Sequence, residues 1–205
     1  MADLTHETTS QNPVSGSQDK LETLLAIPRY LSGFKLDPPS TAKAMRVCNL
    51  TYEGLPVTMR VVDDLHSAKI PFEPSCFGGA AGDRKGCLIS IPQDSADAFI
   101  SVEEWVMQQL SVQVPNIKEI WVSSVRPSEK WPPTLRCKIN VGGTKTVKYY
   151  NCDNERCDAP SDWRQLPVNA IIAIRGVFIQ KGCAGMLLDI THLQYVDEAD
   201  DDAPF

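Results

Sequence analysis

Apolar residues recur at every second position through most of this chain, and at every third and fourth position in one stretch. Val57-Thr58-Met59-Arg60-Val61-Val62 alternates with period two, and Thr134-Leu135-Arg136-Cys137-Lys138-Ile139-Asn140 does so more cleanly. Successive side chains of a strand point to opposite faces, so such alternation marks half-buried strands. The same reading predicts strands over 86–91, 119–122, 144–150, 170–179 and 184–195, and two over 44–63. Ser95 to Val112 is different: Phe99, Val102, Trp105, Val106 and Leu110 line one face of a helix. Ser101 and Glu104 have the spacing of a capping box.

Turn residues separate these elements. Glu53-Gly54, Gly142-Gly143 and Lys181-Gly182 each sit between apolar runs, and the glycine pair predicts a hairpin joining 134–140 to 144–150. Roughly six to eight strands, one helix and Gly-rich turns predict a mainly β fold, an OB-like Greek-key barrel with one main helix. A jelly roll is the alternative. Leu21 to Leu36, interrupted by Pro28, reads as a short helix and an extended segment, and 70–82 as a loop. Gly78-Gly79-Ala80-Ala81-Gly82 in that loop lacks the Gly-Lys-Ser/Thr ending of a phosphate cradle, and a strand follows it rather than a helix. Residues 1–20 are polar and read as a disordered arm, 21–196 as the folded domain, and 197–205 as an acidic tail.

Charge is unevenly placed along the chain. The formal net charge is -6, of which the tail supplies -5 and residues 1–20 supply -2, leaving +1 for the folded part. Within 122–150, Arg126, Lys130, Arg136, Lys138, Lys145 and Lys148 face a single acid, Glu129. Trp131, Tyr149 and Tyr150 are interleaved with them. Arg136 and Lys138, two apart, share one strand face; on the partner strand Lys148 and Tyr150 share one face, and Lys145, Val147 and Tyr149 the other. An unpaired nucleic-acid strand requires cations for its phosphates and flat rings for its bases. These nine basic and aromatic residues are therefore the candidate nucleic-acid-binding set.

Other chemistry finds little support. Seven cysteines, with no secretory-type apolar stretch at the start, predict free thiols in a reducing intracellular compartment. The longest apolar run, Ala170 to Ile174, is too short to span a membrane. Cys152-x4-Cys157 is a looser pair than structural zinc uses, so neither metal nor cofactor is expected. His192 reads as a solvent-face strand residue, and no carboxylate pair or nucleophile triad suggests an enzyme.

The tail carries a resemblance. Asp200-Asp201-Asp202-Ala203-Pro204-Phe205 resembles the C-terminal tip of bacterial and phage single-stranded-DNA-binding proteins, where acids precede Pro and a final Phe. Residues 57–196 are similar, in the order of their elements, to single-stranded-DNA-binding proteins of phages and large DNA viruses, with "WPPTLRCKI" among the residues that carry the likeness. The resemblance implies an OB fold that binds single strands without sequence preference and without catalysis. It also implies that Asp200, Asp201, Asp202, Pro204 and Phe205 recruit replication, recombination or repair proteins. A -5 tail tethered to a cationic groove is expected to compete with DNA for it. RNA is the alternative ligand, self-association stays open, and bacterial-type tetramerisation is not carried over. The rival class is a viral capsid-like or protein-interaction β-domain without a nucleic-acid role.

Overall fold

The computed structural model describes residues 31–40, 45–61, 68–76 and 82–196. In chain order the strands are β1 (Phe34–Leu36), β2 (Arg46–Cys48), β3 (Leu50–Tyr52), β4 (Leu55–Val61), β5 (Ala68–Ile70) and β6 (Arg84–Ser90). Helix α1 (Gln93–Leu110) and the short α2 (Ile117–Ile120) follow. Then come β7 (Val125–Arg126), β8 (Thr134–Asn140), β9 (Lys148–Tyr150), β10 (Arg156–Cys157), β11 (Leu166–Gln180) and β12 (Cys183–Tyr195).

Pairing closes a ring. β11 and β12 form a long antiparallel hairpin through the Lys181-Gly182 turn. β4 and β5 lie end to end along the other side of β11, from Val57 opposite Ile174 to Ile70 opposite Leu166. β5 pairs with β6, β6 with β8, and β8 returns to β12 in parallel register at Lys138–Asp189. With β4 and β5 counted as one strand, this is a five-stranded Greek-key barrel of the OB type, in which β6 is the second strand and β8 the third. The barrel and its main helix are those the sequence pattern predicts; the N-terminal arm and acidic tail lie outside the described residues.

Alternation builds the core. In β8, Leu135, Cys137 and Ile139 are buried while Thr134, Arg136, Lys138 and Asn140 face outward. β11 contributes Val168, Ala170, Ile172 and Ile174, and β12 adds Leu188, Ile190 and Leu193. α1 buries Phe99, Val102, Val106 and Leu110, each stabilising by about 1.5–3 kcal/mol relative to exposure. Trp105 is partly buried and packs on Phe34, with ring centroids 5.7 Å apart.

Three local expectations are corrected. α1 begins after Pro92, without a side-chain cap, and the Ser101 hydroxyl donates to the Asp97 carbonyl (2.9 Å) inside the helix, so Ser101 and Glu104 form no capping box. Pro92 is pre-set for this start by its fixed φ. Residues 117–120 form a helical turn rather than the strand expected over 119–122, and Trp121 makes one bridge to Ala184. The Gly142-Gly143 hairpin does not form either. Gly143 turns the chain (φ +76°), Val147 N–H reaches the Asn140 carbonyl, and β9 then pairs in parallel with β12 from His192 to Gln194. β12 is 13 residues long and β8 pairs with it only at Asp189 and Ile190, so β9 satisfies edge groups that β8 leaves open.

Candidate nucleic-acid interface

The outward faces of β6 and β8 form the floor of the site. Their register sets Leu88 beside Arg136, Gly86 beside Lys138 and Arg84 beside Asn140. β7 pairs with the start of β8 and brings Arg126 opposite Thr134. Phe72, from the β5–β6 connection, completes a groove of about 370 Å³ lined also by Glu73, Ser75, Gly86, Leu88, Arg126 and Arg136. Gly86 has no side chain, and Ser75 pairs with its backbone.

Cations crowd this floor. Burial, then the charge of Arg126, hold the Arg136 guanidinium below its ordinary pKa. Burial, then Arg84 and Arg136, do the same to Lys138, with Asp189 pulling the other way. Like charges held this close on a half-buried surface favour an anion that enters between them. Asp189, only 8% exposed, accepts from Arg84 (2.6 Å) and Arg175 (3.3 Å), so one acid fixes two cations from different strands. Arg175 lies two residues beyond Ala173, the direct partner of Asp189, at the β11 bulge between Ile174 and Gly176.

Aromatic rings flank the cations. Trp131 is 76% exposed on the β7–β8 loop, where Ser128 Oγ accepts from the Lys130 and Trp131 backbone N–H groups. Phe72 is 64% exposed at the groove. A large ring left this far in water loses apolar burial, which a stacked base restores.

The nine predicted residues divide four ways. Arg126, Arg136 and Lys138 lie together on the β7–β8 face, with Lys130 and Trp131 on the loop that feeds it. Lys145 is exposed in the β8–β9 connection. Lys148 and Tyr150 face outward from β9, a short way along β12. Tyr149 does not belong to the surface: it is 4% exposed and packs on Trp163 and Tyr195, and burial pushes its hydroxyl up to about 12. The strand alternation that exposes Tyr150 requires this. The sequence pattern does not single out Phe72, Arg84 or Arg175. Arg84-Lys85 at the head of a strand is the available signal for one of them. The tail residues Asp200, Asp201, Asp202, Pro204 and Phe205 lie outside the described residues.

His192 is partly buried rather than freely solvated, its ring stacked on Tyr150 (6.1 Å, 18°). The described cysteines are thiols rather than disulfides, and Cys87 and Cys137 are buried opposite each other on β6 and β8. Among the described residues no helix is long and apolar enough to cross a membrane.

No protein-family model matches the chain, and no curated protein matches it. The fold is similar to that of gp2.5, a single-stranded DNA-binding protein encoded by bacteriophage T7, at a TM-score of 0.50 and 9% identity, over 70% of this chain and 88% of that one. The two share the fold. The single-stranded DNA-binding protein from bacteriophage Enc34, in complex with ssDNA, is also similar, at a TM-score of 0.46 and 10% identity over 81% of this chain and 97% of that one.

Proposed function

We propose that this protein binds single-stranded DNA without sequence preference, in the groove across β6 and β8. The observation that carries the reading is the joint placement of Arg84, Arg126, Arg136 and Lys138 on that face, beside the exposed rings of Phe72 and Trp131. The second and third strands of an OB barrel are where this fold takes oligonucleotides. The T7 protein of the same fold is a single-stranded DNA-binding protein, which supports the same ligand here. Each stacked base contributes about 1–3 kcal/mol irrespective of its identity, and each neutralised phosphate adds a salt-dependent increment. The chemistry needed is binding, not catalysis.

Residues 21–196 act as the binding unit. In the same proposal the acidic residues 197–205 occupy the cationic groove when DNA is absent, and on displacement present Pro204 and Phe205 to replication, recombination or repair proteins. The test is fluorescence anisotropy of labelled oligo-dT at two salt concentrations, beside a duplex and an RNA of the same length. Tight, salt-weakened binding of the DNA single strand and much weaker duplex binding are expected, with a further gain on deleting 197–205. Absence of binding at low salt overturns the reading; tighter binding of RNA reassigns the ligand.

A further inference from the structure

Beyond the groove, β9, β10 and β12 carry a second planar cluster. Tyr150 on β9 stacks on His192, with centroids 6.1 Å apart and planes 18° apart. From β10, which flanks β9 on the edge opposite β12, the Arg156 guanidinium lies over the Tyr150 ring, 5.8 Å from its centroid. Cross-strand register aligns the three, with Arg156 opposite Tyr150, and His192 opposite Lys148 on the strand that carries Tyr150. His192 is itself held in place through Nδ1, 3.0 Å from Thr191 Oγ1.

Arg156 is exposed, and among the described residues it makes no ion pair. Its neighbour Glu155 is engaged elsewhere, accepting from the Asn151 side chain (3.3 Å). An exposed guanidinium with no carboxylate partner that rests over the ring of a half-buried tyrosine is weakly held. Lys148, also exposed, adds a second cation at the same place. Two residues of β12, Ile190 and Thr191, lie between Asp189, beside Lys138 of the groove, and His192, a distance of about 10 Å. A strand leaving the groove along β12 meets this cluster next.

We propose that Tyr150, Arg156 and His192 form a second base-stacking station for a DNA strand that already occupies the β6–β8 groove, with Arg156 as its displaceable cover. When a base arrives, Arg156 leaves the Tyr150 ring and pairs with the adjoining phosphate, while His192 backs the ring. The exchange is favourable. An exposed cation–ring contact is worth about 2–5-fold in an equilibrium, whereas a stacked base is worth about 5–150-fold. The displaced cation is not lost either, because it gains a charge-assisted bond to phosphate. The station rests on the groove reading and extends it, giving a longer footprint and a length threshold for full affinity.

The experiment compares a short oligo-dT of about 5 nucleotides with one of about 12, a range within the footprints OB folds cover. Anisotropy is measured for the whole chain and for Tyr150→Ala, Tyr150→Phe and Arg156→Ala, each checked by thermal melting. Tyr150→Ala is expected to weaken the long oligonucleotide about 5–150-fold and leave the short one unchanged, with Tyr150→Phe retaining wild-type binding. Arg156→Ala is expected to lower the salt dependence for the long oligonucleotide alone, by about 0.7 in the log–log slope. Equal effects on both lengths, or none on the long one, overturn the station while leaving the groove intact. Failure of the wild-type chain to bind either length overturns both. If Tyr150→Ala does not fold, the unchanged slope of Arg156→Ala is the refuting result.

Discussion

Glu103 offers the sharpest test of how the interface is held in place. It sits on α1, is 3% exposed, and accepts from three donors on the segment leading into β7: Ser124 N–H (2.7 Å), Ser124 Oγ (2.5 Å) and Trp121 Nε1 (3.3 Å). Ser124 in turn accepts, through its carbonyl, from Arg136 N–H (2.8 Å), and Arg126 lies two residues further on. Glu103→Ala leaves the Ser124 donors buried without an acceptor. A hydrogen bond to a charged acceptor contributes about 1.5–3 kcal/mol, and a stranded buried donor costs about 1–3 kcal/mol. Counting the two Ser124 bonds and discounting the longer, more exposed Trp121 bond gives a loss of about 3–6 kcal/mol. For a chain of this size that lowers Tm by about 6–24 °C. Glu103→Gln keeps one acceptor for Ser124 and falls between the two. The assay is calorimetric melting of the three proteins, with oligo-dT affinity measured well below each Tm. A Tm within about 2 °C of wild type for Glu103→Ala would show that the Ser124 bonds do not hold this segment in place.

Other expectations are simpler. Arg136→Ala reduces the log–log salt slope of single-strand binding by about 0.7, read from titrations at several salt concentrations; an unchanged slope removes Arg136 from the phosphate path. Gly176 has φ +140°, and a Cβ added there would collide with the Cys48 carbonyl oxygen. Gly176→Ala therefore costs about 1–2 kcal/mol in backbone strain and about 1–3 kcal/mol in overpacking, visible as a Tm lowered by at least about 4 °C. Burial, then the charges of Lys148 and Arg156, hold the His192 imidazole below its ordinary 6.5. The unfolded chain takes up that proton near 6.5 and the folded chain only at lower pH, so stability falls as the pH drops through this window. His192→Gln should flatten that part of the Tm–pH curve, and parallel curves for the two proteins would show that His192 does not contribute.

Much of the barrel is legible in the sequence because alternation is a local signal. The β8 strand falls where period two places it, and the same rule puts Arg136 and Lys138 outward. It also separates Tyr150 from Tyr149, a distinction that composition alone blurs. What local pattern does not carry is the choice of pairing partner. Gly142-Gly143 has hairpin chemistry, yet β9 joins β12, some 40 residues later, since an unpaired stretch of that strand is the better place to satisfy its backbone. Arg84, Arg175 and Phe72 come from elements distant in sequence, and only ring closure brings them to the site. Glu103 is hidden for a related reason: its spacing, four after Phe99 and three before Val106, puts it on the apolar stripe, but nothing local names its partners, which lie some 20 residues away. The short 117–120 turn, in which Ile117, Ile120 and Trp121 suit either structure, is decided by packing against α1 and β12 rather than by propensity.

The β12 strand receives Trp121, β8 and β9 in succession along one side and β11 along the other. It is also the last described element to be synthesised. The ribosome therefore delivers β8, β9 and β11 before the strand that joins them exists, and loop-closure entropy opposes closure of the ring until it does. Folding of this chain is consequently a late, concerted event governed by the 183–195 segment, not a domain growing from its N-terminal side. Stalled nascent chains that end before Cys183 should stay open to protease, and chains that have extruded Tyr195 should resist it; early resistance would contradict a seam that closes last.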